Sequence, residues 1–190
     1  VFKQPENYVV VQTKSENLDT YAIRLRDLID DVLEQTQRPR VTLIAHSMGG
    51  LVARRYLQIF GDERVQTLVM IGTPNKGITP DISDDCDLVG AALECRDLAE
   101  TSLFLNKLNT GRQPSIPLYN IVGSGCPMEY GDGDGVVVTD HAILADAQNY
   151  VIDGVCRGST KPLHLDLRDP LRYPRVYEII RDALNADDAD

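Results

Sequence analysis

The sequence predicts an α/β protein in which a mostly parallel sheet carries helices on both faces. Short β-branched or apolar runs alternate with amphipathic helical patterns. The central runs are apolar without interruption, as strands buried on both faces are. Their order along the chain reads strand, helix, strand, helix, then three further strands and a last helix.

"YVVVQT" (Tyr8 to Thr13) is the first strand, and Leu18, Ala22, Leu25, Ile29 and Val32 then recur at helical steps on one face. "VTLIA" (Val41 to Ala45) follows as a strand too apolar to have a wet face, and a helix runs from about Met48 to Phe60, ended by Gly61. "VQTLVMIGTP" is the next strand, stopped by Gly72 and Pro74; "IPLYNIVGSG" and "NYVIDGV" repeat the signal. In the last helix Pro174 occupies the first turn, and Val176, Ile179, Ile180, Ala183 and Leu184 form the buried stripe.

Composition narrows the function. With 190 residues, 43% hydrophobic and 25% charged, the chain reads as one domain spanning residues 1–190. No apolar stretch reaches the length of a bilayer span, and the first residues lack a signal-peptide pattern. The net charge of −10, with no basic cluster beyond Arg54-Arg55, argues against nucleic acid as a partner. The acidic "NADDAD" end reads as a solvated tail.

Ser47 is the residue on which the function turns. It ends a buried strand and opens a helix, at the carboxyl edge of the sheet where open α/β sheets bind ligands. Small residues two before and two after it, Ala45 and Gly49, let the helix pass close to the strand, and the Met48 N–H at the helix start is placed to stabilise an oxyanion. The competing reading is a plain helix cap. Four cysteines add a constraint. Cys86 and Cys95 are nine residues apart, while Cys126 and Cys156 follow two strands expected to be neighbours. Two disulfides, Cys86–Cys95 and Cys126–Cys156, fit that arrangement and imply an oxidising compartment, secreted or extracytoplasmic, or a thermophilic cytoplasm; four buried thiols are the alternative.

Through "LIAHSMGGLVARRYL", "MIGTPNKG", "DLAETSLFLNKLN", "GDGDGVV" and His164, the chain resembles the lipase and esterase branch of the α/β-hydrolases. The resemblance implies an α/β-hydrolase fold and cleavage of carboxylic esters, of lipids or smaller molecules, through an acyl-enzyme on Ser47. No cofactor is implied. The paired glycines and aspartates of "GDGDG" lack the remaining ligands of a calcium loop. The chain order serine, acid, histidine then assigns His164 as base and Asp134 as acid, with Asp132 the alternative acid and His141 the alternative base. His46 adjoins the serine on the same turn as a packing or solvent-facing residue, and with Thr73, Pro74, Leu103 and Phe104 is counted among candidates for substrate contact.

Residues 78–113 correspond to a cap insertion whose apolar faces could take an acyl chain or be plain core, with contact to a lipid interface as a corollary. The same resemblance expects, before "YVVVQT", a strand with a His-Gly loop that supplies a second oxyanion donor. About 30 residues or more of such a strand-plus-helix unit have no counterpart here. The sheet is thus expected to be reduced at its N-terminal side, or the missing piece to come from another segment or partner chain. A non-catalytic binding module, or an amidase or acyltransferase on the same fold, are the alternative functions.

Overall fold

The structure, a computed structural model, describes residues 16–84, 86, 92–157 and 162–187. The expected strand at residues 8–13, and Leu88 and Ala91 of the expected cap helices, lie outside these residues.

Helix α1 (Leu18–Thr36) is capped by Asn17, whose side chain accepts from the Thr20 N–H at 2.9 Å. Leu18, Ala22 and Ile29 are buried as the spacing predicts, but Val32 is exposed and Leu33 packs instead. Alternating steps of four and three average less than the helical repeat, so the stripe drifts around the helix over four turns. Strand β1 (Val41–His46), helix α2 (Met48–Phe60) and strand β2 (Val65–Ile71) follow, with α2 ended at Gly61 in a positive-φ conformation. After three short helices, α3 (Pro80–Asp84), α4 (Ala92–Leu98) and α5 (Leu103–Thr110), come strand β3 (Leu118–Ser124) and a small antiparallel hairpin, β4 (Cys126–Met128) and β5 (Gly131–Gly133). One-turn helix α6 (Thr139–Ala142), strand β6 (Gln148–Asp153), one-turn helix α7 (Leu163–Asp166) and helix α8 (Pro174–Asp187) complete the order.

The main sheet is parallel throughout in the order β1-β2-β3-β6. Alternation along β2 divides the core: Leu68 and Met70 pack with Ala22, Ile29, Ala53 and Leu57 of α1 and α2, whereas Val69 and Ile71 pack with Leu163, Val176 and Ile179 of α7 and α8. Helices therefore cover both faces, as expected of a parallel sheet. The expectation that "VTLIA" has no wet face needs correcting. Ile44 is 50% exposed, because α7 and α8 cover β2, β3 and β6, and β1 pairs only with β2 among the described residues.

Both expected disulfides form: Cys86–Cys95 ties the segment before α4 to that helix, and Cys126–Cys156 ties the start of β4 to the loop after β6. Helix α4 also docks on the amino end of α1, where the Asp97 carboxylate accepts from the Leu18 N–H at 2.9 Å and Glu94 accepts from the Tyr21 hydroxyl at 2.6 Å. Two buried carboxylates thus meet the positive end of the α1 dipole. Burial, with Glu94 next, pushes the Tyr21 phenol up to about 12. Among the described residues no helix is long and apolar enough to cross a membrane.

Candidate active site

Ser47 joins β1 to α2 with φ 56° and ψ −131°, a conformation L-residues rarely adopt and one that costs on the order of 1–3 kcal/mol. Its side chain makes no capping bond to α2, so the cap reading fails: the hydroxyl is not spent on the helix. The turn is held by backbone and neighbours instead. The Ser47 N–H donates to Ile71 O at 2.8 Å, and Ser47 O accepts from the Gly50 N–H at 3.0 Å and from the Thr73 hydroxyl at 3.1 Å. Met48 is the first residue of α2, and its N–H belongs to the helix start where no intrahelical acceptor exists.

The tight glycine is not the one the sequence pattern suggests. A Cβ on Gly49 would meet Ala45 Cβ at an ordinary 3.8 Å, whereas one on Gly50 would lie 2.0 Å from Thr73 Oγ1. The tight approach at the helix start is therefore between Gly50 and Thr73 of the loop after β2.

Asp134 and His164, expected to act together, are brought together. Asp134 is 1% exposed on the turn after β5, and its Oδ1 accepts from the Val136 and Val137 N–H groups at 3.0 and 2.7 Å. Its Oδ2 accepts from His164 Nδ1–H at 2.7 Å, and its carbonyl accepts the His164 N–H at 2.9 Å. This fixes the histidine tautomer: Nδ1 carries the proton and Nε2 is left as the basic nitrogen. Gly72, at the end of β2, makes room for the pair, since a Cβ there would sit 3.0 Å from His164 Nδ1 and 3.1 Å from Asp134 Oδ2.

The alternatives go elsewhere. Asp132 accepts from the Ser124 hydroxyl and the Gly125 N–H, which hold its carboxyl below the usual range and make it a clamp on the turn after β3. His141 Nδ1–H donates to Gly77 O at 3.1 Å, with Nε2 3.8 Å from Glu100. His46 Nε2–H donates to His164 O at 2.9 Å. Thr73 and Pro74 are buried beneath the serine turn, and Phe104 sits in a core with Leu18, Leu51 and Val52. Leu103 is 80% exposed. A cleft of about 400 Å³ adjoins the start of α2, lined by Tyr21, Leu25 and Leu28 of α1 and by Met48, Gly49 and Val52, together with Arg24, Asp27 and Asp31. Among the described residues no cluster of three or more His, Cys, Asp or Glu side chains could hold a metal ion.

The sequence of residues 10–93 matches the family model described as the alpha/beta hydrolase fold. The chain has the α/β-hydrolase fold. Solved structures agree at low identity. The mature lipase BlEst2 of Bacillus licheniformis superposes with a TM-score of 0.65 at 17% identity, covering 85% of this chain and 75% of that one. Against the propeptide form of that lipase the chain spans 41% of its length, at 16% identity and a TM-score of 0.66 over 85% of this chain. A thermophilic esterase from Thermogutta terrifontis matches with a TM-score of 0.54 at 16% identity, over 92% of this chain and 74% of that one. No curated protein matches the sequence.

On this α/β-hydrolase frame the structure adds residues that motif reading passed over. Arg54 is 1% exposed yet meets no carboxylate at salt-bridge distance among the described residues. Its guanidinium donates to Asn75 at 3.0 Å and Asn109 at 2.9 Å, and burial pushes it down to about 10. Asn75 and Asn120 both donate to Ala142 O, at 2.7 and 2.8 Å, and Asn120 donates to Asn149 at 2.7 Å. This buried chain fastens the loop after β2 to the end of α6 and, through Asn120 of β3, to Asn149 of β6. A signal was present: Arg54 falls three residues after Leu51 and three before Leu57, on the apolar face of α2.

Proposed function

We propose that the chain is a serine hydrolase that cleaves carboxylic esters through an acyl-enzyme on Ser47. The observation that carries the reading is the strained serine, its hydroxyl unused by the helix, whose neighbour His46 bonds to the buried Asp134–His164 pair, a pair whose tautomer leaves Nε2 basic. In this scheme His164 Nε2 takes the Ser47 proton as Oγ attacks the ester carbonyl, and the imidazolium gives that proton to the leaving alcohol. Asp134 orients and stabilises the imidazolium, and the Met48 N–H donates to the oxyanion. Water, activated by the same histidine, then releases the acid.

The cleft beside Met48 favours an acyl substrate, since its volume is in the range of small-molecule sites, about 300–1,000 Å³, and Leu25, Leu28 and Val52 line it. The lipase and esterase named among the similar structures support the same class. The two disulfides suit work outside the cytoplasm.

The test is hydrolysis of p-nitrophenyl esters from acetate to palmitate by the chain and by Ser47→Ala. Release that disappears in the variant supports the reading, and the preferred chain length reports the cleft. Release unaffected by the substitution, or none above background from the unaltered chain, overturns it for this chain.

A further inference from the structure

The two bonds that His164 donates, from Nδ1 and from its N–H, both end on Asp134, so they fix the base relative to the acid and leave its place relative to Ser47 open. The connection is made by the residue next to the nucleophile. His46 Nε2 lies 2.9 Å from His164 O, and because a carbonyl only accepts, Nε2 carries the proton and Nδ1 the lone pair. The two rings also touch, with centroids 4.6 Å apart and planes tilted by 50°. The bond joins residues 118 apart in sequence, one end covalently attached to Ser47 and the other to the base.

We propose that His46 is a positioning residue, whose side chain locks the histidine-bearing turn α7 to the nucleophile turn and so sets the distance between Ser47 and His164. The inference rests on the hydrolase reading above and gives His46 a role different from substrate contact. His164, Arg168 and Asp134 are the charged or titratable groups that face it. Burial first, with the positive charges of His164 and Arg168 acting in the same direction, overcomes the bond to the His164 carbonyl and the Asp134 charge and pushes His46 down to about 4, so it stays neutral when His164 becomes a cation. A neutral ring leaves that cation without a like charge beside it.

The experiment compares His46→Phe, which keeps a ring and loses the donor, with His46→Gln, which keeps an N–H donor. Initial rates on a p-nitrophenyl ester give kcat and KM, labelling by a fluorophosphonate reads Ser47 directly, and imidazole ¹⁵N resonances report His164 without turnover. His46→Phe is expected to lower kcat about 10- to 100-fold at unchanged KM, the scale of a small misplacement of reacting groups, with partial recovery in His46→Gln. The His164 imidazole ¹⁵N resonances are expected to shift in the Phe variant, which removes the bond to its carbonyl and the ring against it, and His46 itself to be the Nε2–H tautomer in the unaltered protein. A Phe variant with unaltered kcat, or with raised KM alone, overturns the proposal. If unaltered Ser47 ignores the fluorophosphonate, the hydrolase reading fails instead, and unmoved His164 imidazole resonances in the Phe variant still overturn the positioning role.

Discussion

Replacing Asp134 by Asn changes one atom of the buried pair and separates the two candidate acids. The Asn oxygen can keep the Val136 and Val137 bonds, but its NH₂ then faces His164 Nδ1–H, two donors 2.7 Å apart in a site that is 1% exposed. The imidazole escapes by moving its proton to Nε2, the atom that must accept from Ser47. Loss of the working tautomer costs roughly 10⁴-fold in kcat, about 5.4 kcal/mol of barrier. The lost charge-assisted bond also destabilises the fold by about 1.5–3 kcal/mol, or about 3–12 °C in Tm for a chain of this size. Asp132→Asn touches only the Ser124 and Gly125 contacts and is expected to leave the rate nearly unchanged. Ester hydrolysis and the rate of fluorophosphonate labelling, measured at a temperature where both variants are folded by circular dichroism, give the answer. An Asp134→Asn rate equal to that of the unaltered chain, or a collapse confined to Asp132→Asn, would refute the reasoning.

Arg54→Lys is expected to be less stable than Arg54→Met by about 2–3 kcal/mol in urea unfolding with the disulfides intact. Lysine keeps a buried cation with no carboxylate at salt-bridge distance among the described residues and gives up the forked bonds to Asn75 and Asn109, whereas Met removes the charge; equal midpoints would count against this. Gly50→Ala, with its Cβ 2.0 Å from Thr73 Oγ1, should cost about 1–3 kcal/mol and displace the serine turn, while Gly49→Ala should be neutral or stabilising by up to about 1 kcal/mol. The reverse order in thermal melts would sink the packing argument. Stability should fall as pH drops from about 6.5 toward 4, because the unfolded chain protonates His46 while the native chain, with His46 held down to about 4, does not. Below about 4 it should fall further as Asp62 and Asp132, whose carboxyls are held low by Ser115 N–H and Ser124 respectively, take up protons. His46→Gln should abolish the first phase in urea midpoints taken across pH, and persistence of that phase would assign it elsewhere.

Helices α1, α2 and α8 and the parallel strands of the main sheet were legible because each carries a local rule, whereas α3 and the one-turn helices α6 and α7, the last of which carries His164 where a loop was expected, are too short to show a period. A run of β-branched residues, an apolar stripe at helical spacing, Gly61 at the end of α2 and Pro174 at the start of α8 act over a few residues and need no distant partner. The serine turn was legible for the same reason. The β4–β5 hairpin was not, because "CPMEYGDG" has neither alternation nor apolar period; it is held by tertiary contacts, the bonds between Asp132 of β5 and the turn after β3 and the Cys126–Cys156 disulfide.

Sequence by itself therefore determined the class of fold, the residue types of the candidate site and their order along the chain. Tertiary structure decided which of two aspartates meets His164, that His46 grips the base and that Phe104 belongs to the core. It also decided that Arg54 sits buried among amides. The physical reason is range. Backbone propensity and periodicity are set by neighbours within a turn or two, whereas a hydrogen bond such as Asp134–His164 joins groups 30 residues apart, and only the packing of the sheet and its loops fixes which of several equivalent side chains arrives.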